Sequence, residues 1–159
     1  MQIRFLKGKD KPHTLSCIRA DGTRTWTRLY QGFGPQHDLA HYAVETTLGF
    51  EHAFYGLLAQ GHTIEEFAET DDRRWVGDEA LLTEAIVMAL QYEVAGSSSA
   101  EAFFETVEGA CRGLGITVLD TLTPDVADTI RERFSRLRTQ WEQTPAGGCL
   151  ELDFPETPP

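Results

Sequence analysis

The stretch TLSCIRADGTRTWTRLY, residues 14–30, decides the fold class. Thr23-Arg24-Thr25-Trp26-Thr27 is β-branched and aromatic at the density that strands favour. Residues 14–20 and 23–30 flank Asp21-Gly22, a two-residue pair that suits a type I′ hairpin. Closed in that way, Cys17 lies opposite Trp26 and Ile18 opposite Thr25. Upstream, residues 2–7 place Ile3 and Phe5 on one face of another strand, with Leu6 breaking the alternation. Far downstream, Cys149 to Phe154 alternates Leu150, Leu152 and Phe154. This reads as a last strand that returns to the N-terminal section.

The chain between these ends reads as helices. Gly32-Phe33-Gly34-Pro35 closes the strand section, and Pro35 suits the first turn of a helix over 36–59 that stops near Gly61. Thr63 and Glu66 have capping-box spacing for a short helix over 63–69. A polar loop over 70–77 leads to Asp78, an N-cap for an apolar helix through 95. Phe103, Val107, Ala110 and Leu114 share a face of a helix over 100–112, with Gly113 at its C-cap. Thr123-Pro124-Asp125 opens a long helix striped by Val126, Ile130, Phe134, Leu137 and Trp141. Strands followed by helices indicate α+β: a small antiparallel sheet, three N-terminal strands plus a C-terminal one, packed against four or five helices. The expected organisation is one globular domain over 1–154 and a proline-rich tail over 155–159.

Composition narrows the function. A chain of 159 residues with 41% hydrophobic content has room for a core without staples. The formal charge of −11 argues against a nucleic-acid partner, which needs a basic surface to release counterions, and against anionic membranes. No run of about 18 apolar residues occurs that would span a bilayer. The N-terminal segment, charged at positions 4, 7, 9, 10 and 11, does not fit a secretory leader. Cys17, Cys111 and Cys149 are distant and odd in number, so they read as reduced thiols in a cytoplasmic protein. The segment 79–95 is apolar on nearly every side, which places it at the centre of the core and leaves room for a homodimer.

The chemistry lies in the helix that begins His37-Asp38-Leu39-Ala40-His41. At roughly 100° per residue, His37, His41, Glu45, His52 and Asp38 fall within about one quadrant, and most of the remaining circumference is apolar. Imidazoles at i and i+4 stand one turn apart on one face and can converge on one ion. Such a pair suits zinc first, with iron, manganese or nickel as other choices once a carboxylate joins. His37 to Glu45 spans about 12 Å of axis, so one ion takes His37 and His41, or His41 and Glu45. His52 lies about 16 Å beyond His41, too far for the same ion. No lysine or arginine occurs between Arg28 and Arg73. A further ligand must come from another segment; Glu93, among Ala89 and Ile86 on an apolar helix, is the first choice and Glu84 the second. Two plainer readings stand beside this one: a narrow solvated face, and a hydrogen-bonded histidine–carboxylate core.

The five-residue motif resembles the proposed zinc signature of the ubiquinone-biosynthesis scaffold family. There a glutamate follows after eleven residues, where this chain has Ala53. The His37-Asp38 doublet resembles that of HD-domain phosphohydrolases, which also need an upstream helical histidine; His13 here sits on an expected strand. Two functional classes follow from the residues themselves. One is a metal-dependent, hydrolase-type enzyme whose ion activates water, with Asp38 or Glu45 as general base, acting on a substrate that the residues do not specify. The other is a non-catalytic interaction or scaffold protein whose metal is purely structural. An open coordination position marks the first and four protein ligands the second.

Overall fold

The computed structural model describes residues 1–29, 33–69 and 77–156. The expected strand end at Tyr30, the loop over 70–76 and the last three residues of the tail lie outside them. Four strands, β1 (Gln2–Leu6), β2 (His13–Ile18), β3 (Arg24–Leu29) and β4 (Cys149–Asp153), form one antiparallel sheet in the order β3-β2-β1-β4. Six helices complete the described chain: α1 (Phe33–Leu48), α2 (Phe54–Ala59), α3 (Ile64–Glu69), α4 (Asp78–Val94), α5 (Phe103–Leu114) and α6 (Pro124–Gln143). The architecture is α+β, with three N-terminal strands and the C-terminal strand paired to β1.

Register decides which side chains enter the core. Leu152, Ile3, Cys17 and Thr25 lie in one row across the sheet, and Leu150, Phe5, Leu15 and Thr27 in the next. Ile3, Phe5, Leu15 and Cys17 are fully buried. Burial pushes the Cys17 thiol up to about 12, so this cysteine is inert packing. On the opposite face, Arg4 donates to Glu151 across the β1–β4 pair at 2.9 Å.

The hairpin exists, one residue out of the expected register. Cys17 pairs with Thr25 and Ile18 with Arg24. The Gly22 amide donates to the Arg19 carbonyl and the Arg19 amide to the Thr23 carbonyl, closing a three-residue loop over 20–22. Gly22 takes φ 84°, the left-handed residue that ends such a loop. Because side chains alternate, a slip of one residue exchanges the two faces of β3. Thr25 is therefore buried, and Trp26 is 45% exposed on the outer face.

The single helix expected over 36–59 is two. Gly49 adopts φ 69°, and the Phe50 amide reaches back to the Glu45 carbonyl at 3.0 Å. This is the glycine-terminated Schellman ending, sealed by burial of Phe50. Residues 49–53 turn the chain, and α2 starts afresh at Phe54. His52 thus leaves the stripe it was expected to share. A Cβ at Gly49 meets no atom within 4 Å, so Gly49→Ala carries the backbone cost alone. Urea denaturation should show a loss of about 1–2 kcal/mol; an unchanged midpoint would remove the left-handed ending. The Gly113 C-cap moves for the same reason: α5 runs to Leu114, and Gly115 at φ 75° ends it.

Helix α4 packs between α1 and α5, while α1 also packs on α6. Leu82, Ala85, Ile86, Val87, Ala89 and Leu90 are all buried. That central position accounts for the apolarity of α4 on nearly all sides. Among the described residues, no helix is long and apolar enough to cross a membrane.

Candidate metal centre

Helices α1 and α4 run antiparallel, because Gln91 contacts His37 while Glu84 contacts His41. Glu84 and Gln91 are seven residues apart and therefore share one face of α4, turned toward the imidazole pair on α1. His37, His41 and Glu84 each offer one ligand atom, all within 4.8 Å of one another, and this group could hold a metal ion. His41 Nε2 lies 3.1 Å from His37 Nε2 and 3.3 Å from Glu84 Oε1. An ion with ligand bonds of 2.0–2.1 Å has tetrahedral edges of about 3.3 Å, so both separations fit one ion. Glu84 keeps 55% of its side chain exposed, and His41 is buried. The group therefore has a protein side and a water side.

Glu45 stands behind the imidazoles. It is fully buried, with Oε1 at 3.4 Å from His41 Nδ1. Its Oε2 accepts the amides of Tyr55 at 2.8 Å and Gly56 at 3.1 Å, two first-turn donors of α2 with no partner inside their helix. Both carboxylate oxygens are therefore engaged away from the point where His37, His41 and Glu84 converge. Glu45 is placed to orient the His41 ring, the position carboxylates commonly take behind metal-bound imidazoles. Phe54, at the start of α2, sets its ring edge against His41 at 5.8 Å between centroids.

The electrostatics follow from this arrangement. Burial opposes charge on His41, but hydrogen bonds to Glu45 and Glu84 outweigh it and raise the imidazole to about 10. Burial lowers His37, and the neighbouring His41 charge lowers it further. Burial likewise works against the Glu84 carboxylate, yet His41 holds it below its ordinary value. Burial raises Glu45 despite His41 and the two amides. Without metal, a charged His41 thus donates from both ring nitrogens, and a neutral His37 accepts at Nε2. His37 then carries its proton on Nδ1, 3.3 Å from the Gln91 amide. The proton count closes with the amide oxygen toward that nitrogen, a half-turn of the Gln91 side chain.

Of the sequence candidates, His37 and His41 come together with Glu84, the second choice for the outside ligand. Glu93 is nine residues beyond Glu84, on the opposite side of α4. Its carboxylate is held by Arg131 through Nε at 3.0 Å and Nη2 at 3.1 Å, so it is engaged elsewhere. Asp38 stays on α1 beside the group, where burial raises its carboxyl to about 7. Gln91 was not among the candidates, and only its seven-residue spacing from Glu84 could have pointed to it. Comparison with family models, curated proteins and solved structures finds no match to this chain.

Proposed function

We propose that the protein binds one divalent transition-metal ion through His37, His41 and Glu84, zinc foremost, and that it is a hydrolase-type enzyme. The observation that carries this reading is the pair of separations around His41 Nε2, 3.1 Å to His37 and 3.3 Å to Glu84, with Glu45 behind the ring. Two imidazoles and one carboxylate leave a fourth position for water, the composition of many catalytic zinc sites. The bound ion would supply a water of lowered pKa. Asp38, near neutrality, is the candidate general base; Glu45, with both oxygens engaged, positions His41. Exposure of Glu84 favours an ion that keeps a water ligand.

One observation favours the plainer reading of a hydrogen-bonded core. A charged His41 between Glu45 and Glu84 is already satisfied without any ion. The two readings part on Glu84, with Glu93, held by Arg131, as the control. For chelator-stripped protein titrated with zinc, Glu84→Gln should weaken binding by more than the roughly 10–100-fold that an outer-shell partner costs. Glu93→Gln should leave zinc affinity unchanged and lower stability by about 1 kcal/mol, since Arg131 loses one charged partner but keeps Asp128 and the Ala100 carbonyl. Equal zinc affinity in wild type and Glu84→Gln would return the group to the core reading.

A further inference from the structure

We infer that Glu45 couples metal occupancy to the docking of α2, so that loading the site tightens the segment that follows the break in α1. This rests on the metal reading above and concerns how that site is regulated. Glu45 joins His41 and α2 through its two carboxylate oxygens, Oε1 to His41 and Oε2 to the amides of Tyr55 and Gly56, beside a bond from the Tyr55 hydroxyl to the Asp38 carbonyl. The break at Gly49 serves this geometry. It folds the chain back so that the start of α2 meets the carboxylate one turn before the end of α1. The turn that permits this packs tightly on α2, since a Cβ at Gly56 would run into the Glu51 carbonyl.

The far end of α2 is tied independently. Arg19 donates to the Leu58 carbonyl at 2.6 Å and to the His62 carbonyl. Motion of α2 against the core is therefore pinned at one end by Arg19 and at the other by Glu45. The metal-free ring already turns its Nδ1 hydrogen toward Glu45; an ion on His41 Nε2 would lock in that orientation a ring that hydrogen bonds alone otherwise hold. That holds the carboxylate in the orientation the two amides require. By linkage, the factor by which a docked α2 raises metal affinity through Glu45 is the factor by which the metal tightens α2 docking. Outer-shell partners of this kind contribute roughly 10–100-fold.

Amide hydrogen exchange on the full chain, with and without one equivalent of zinc, tests this. Zinc should slow exchange at Tyr55 and Gly56 by about 10–100-fold beyond any slowing at the sheet amides of Phe5 and Leu15, which report global stabilisation. In Glu84→Gln, which keeps Glu45 in place, zinc at the same concentration should give no such extra slowing. In Glu45→Gln, one zinc should still bind, about 10–100-fold more weakly, without selective protection of Tyr55 and Gly56. The wild-type comparison stands even if Glu45→Gln does not fold. Full zinc binding with Tyr55 and Gly56 slowed no more than Phe5 and Leu15 would overturn the coupling and leave the metal site intact. No bound zinc in wild type would overturn the metal site and the coupling with it.

Discussion

His41→Ala should abolish stoichiometric zinc binding and destabilise the metal-free protein in the same stroke. His41 Nε2 is the vertex shared by both short separations in the group, so its removal leaves His37 and Glu84 without a common partner. It also leaves Glu45, fully buried, without the imidazole it faces. Removing one member of a buried pair costs roughly 3–5 kcal/mol, because the other charge stays behind. Zinc titration and urea denaturation together check both effects. His52→Ala is the matched control, since His52 lies on the exposed turn between α1 and α2. It should retain zinc. A His41→Ala protein that still binds one zinc ion would place the site elsewhere.

Acidity should act on the metal-free and zinc-bound forms in opposite directions. Asp38 is raised from 3.8 to about 7 and His41 from 6.5 to about 10. Both groups hold protons more tightly in the folded chain. The stability each contributes is present below its unfolded value and is lost as pH rises through its folded value. Between pH 5 and 9 the metal-free protein should therefore lose stability, by several kcal/mol in urea denaturation. Glu45, raised by burial, adds to that loss, while His37 and Glu84, both lowered, work in the other sense and lose their contributions as pH falls. Asp38→Asn removes one of these contributions and should flatten the profile below pH 7. Zinc must displace the His41 proton, so its apparent affinity should climb about ten-fold per pH unit between pH 6 and 8. An ordinary imidazole would lose affinity only below about 6.5; here Glu45 and Glu84 hold the proton to higher pH. A metal-free protein equally stable at pH 5 and 9 would contradict this charge arrangement.

Much of this was legible in the residues, and the exceptions have physical reasons. Asp21-Gly22 between two β-rich runs announced the hairpin. It did not announce the register, because a glycine at a left-handed position serves a two-residue or a three-residue loop equally well. The break at Gly49 was hidden by apolar residues on both sides that continue a helical pattern. Its signal was Leu48-Gly49-Phe50, a glycine followed by a residue that can seal a Schellman ending. The imidazole pair and Glu45 stood out as polar groups on an apolar helix. The partition between ligand and orienting residue depended on α2, whose amides reach Glu45 only after that break. Glu84 and Glu93 differ in sequence by little; the choice was made by packing, which turned one toward α1 and the other toward Arg131 on α6.

X-ray absorption at the zinc edge, on protein loaded with one equivalent of the metal at pH 8, addresses the site most directly. Ligation by His37, His41 and Glu84 requires two imidazole scatterers and oxygen neighbours at about 2.0–2.2 Å, with no sulfur near 2.3 Å. Zinc that is bound through sulfur, through no imidazole or not at all would contradict the metal centre.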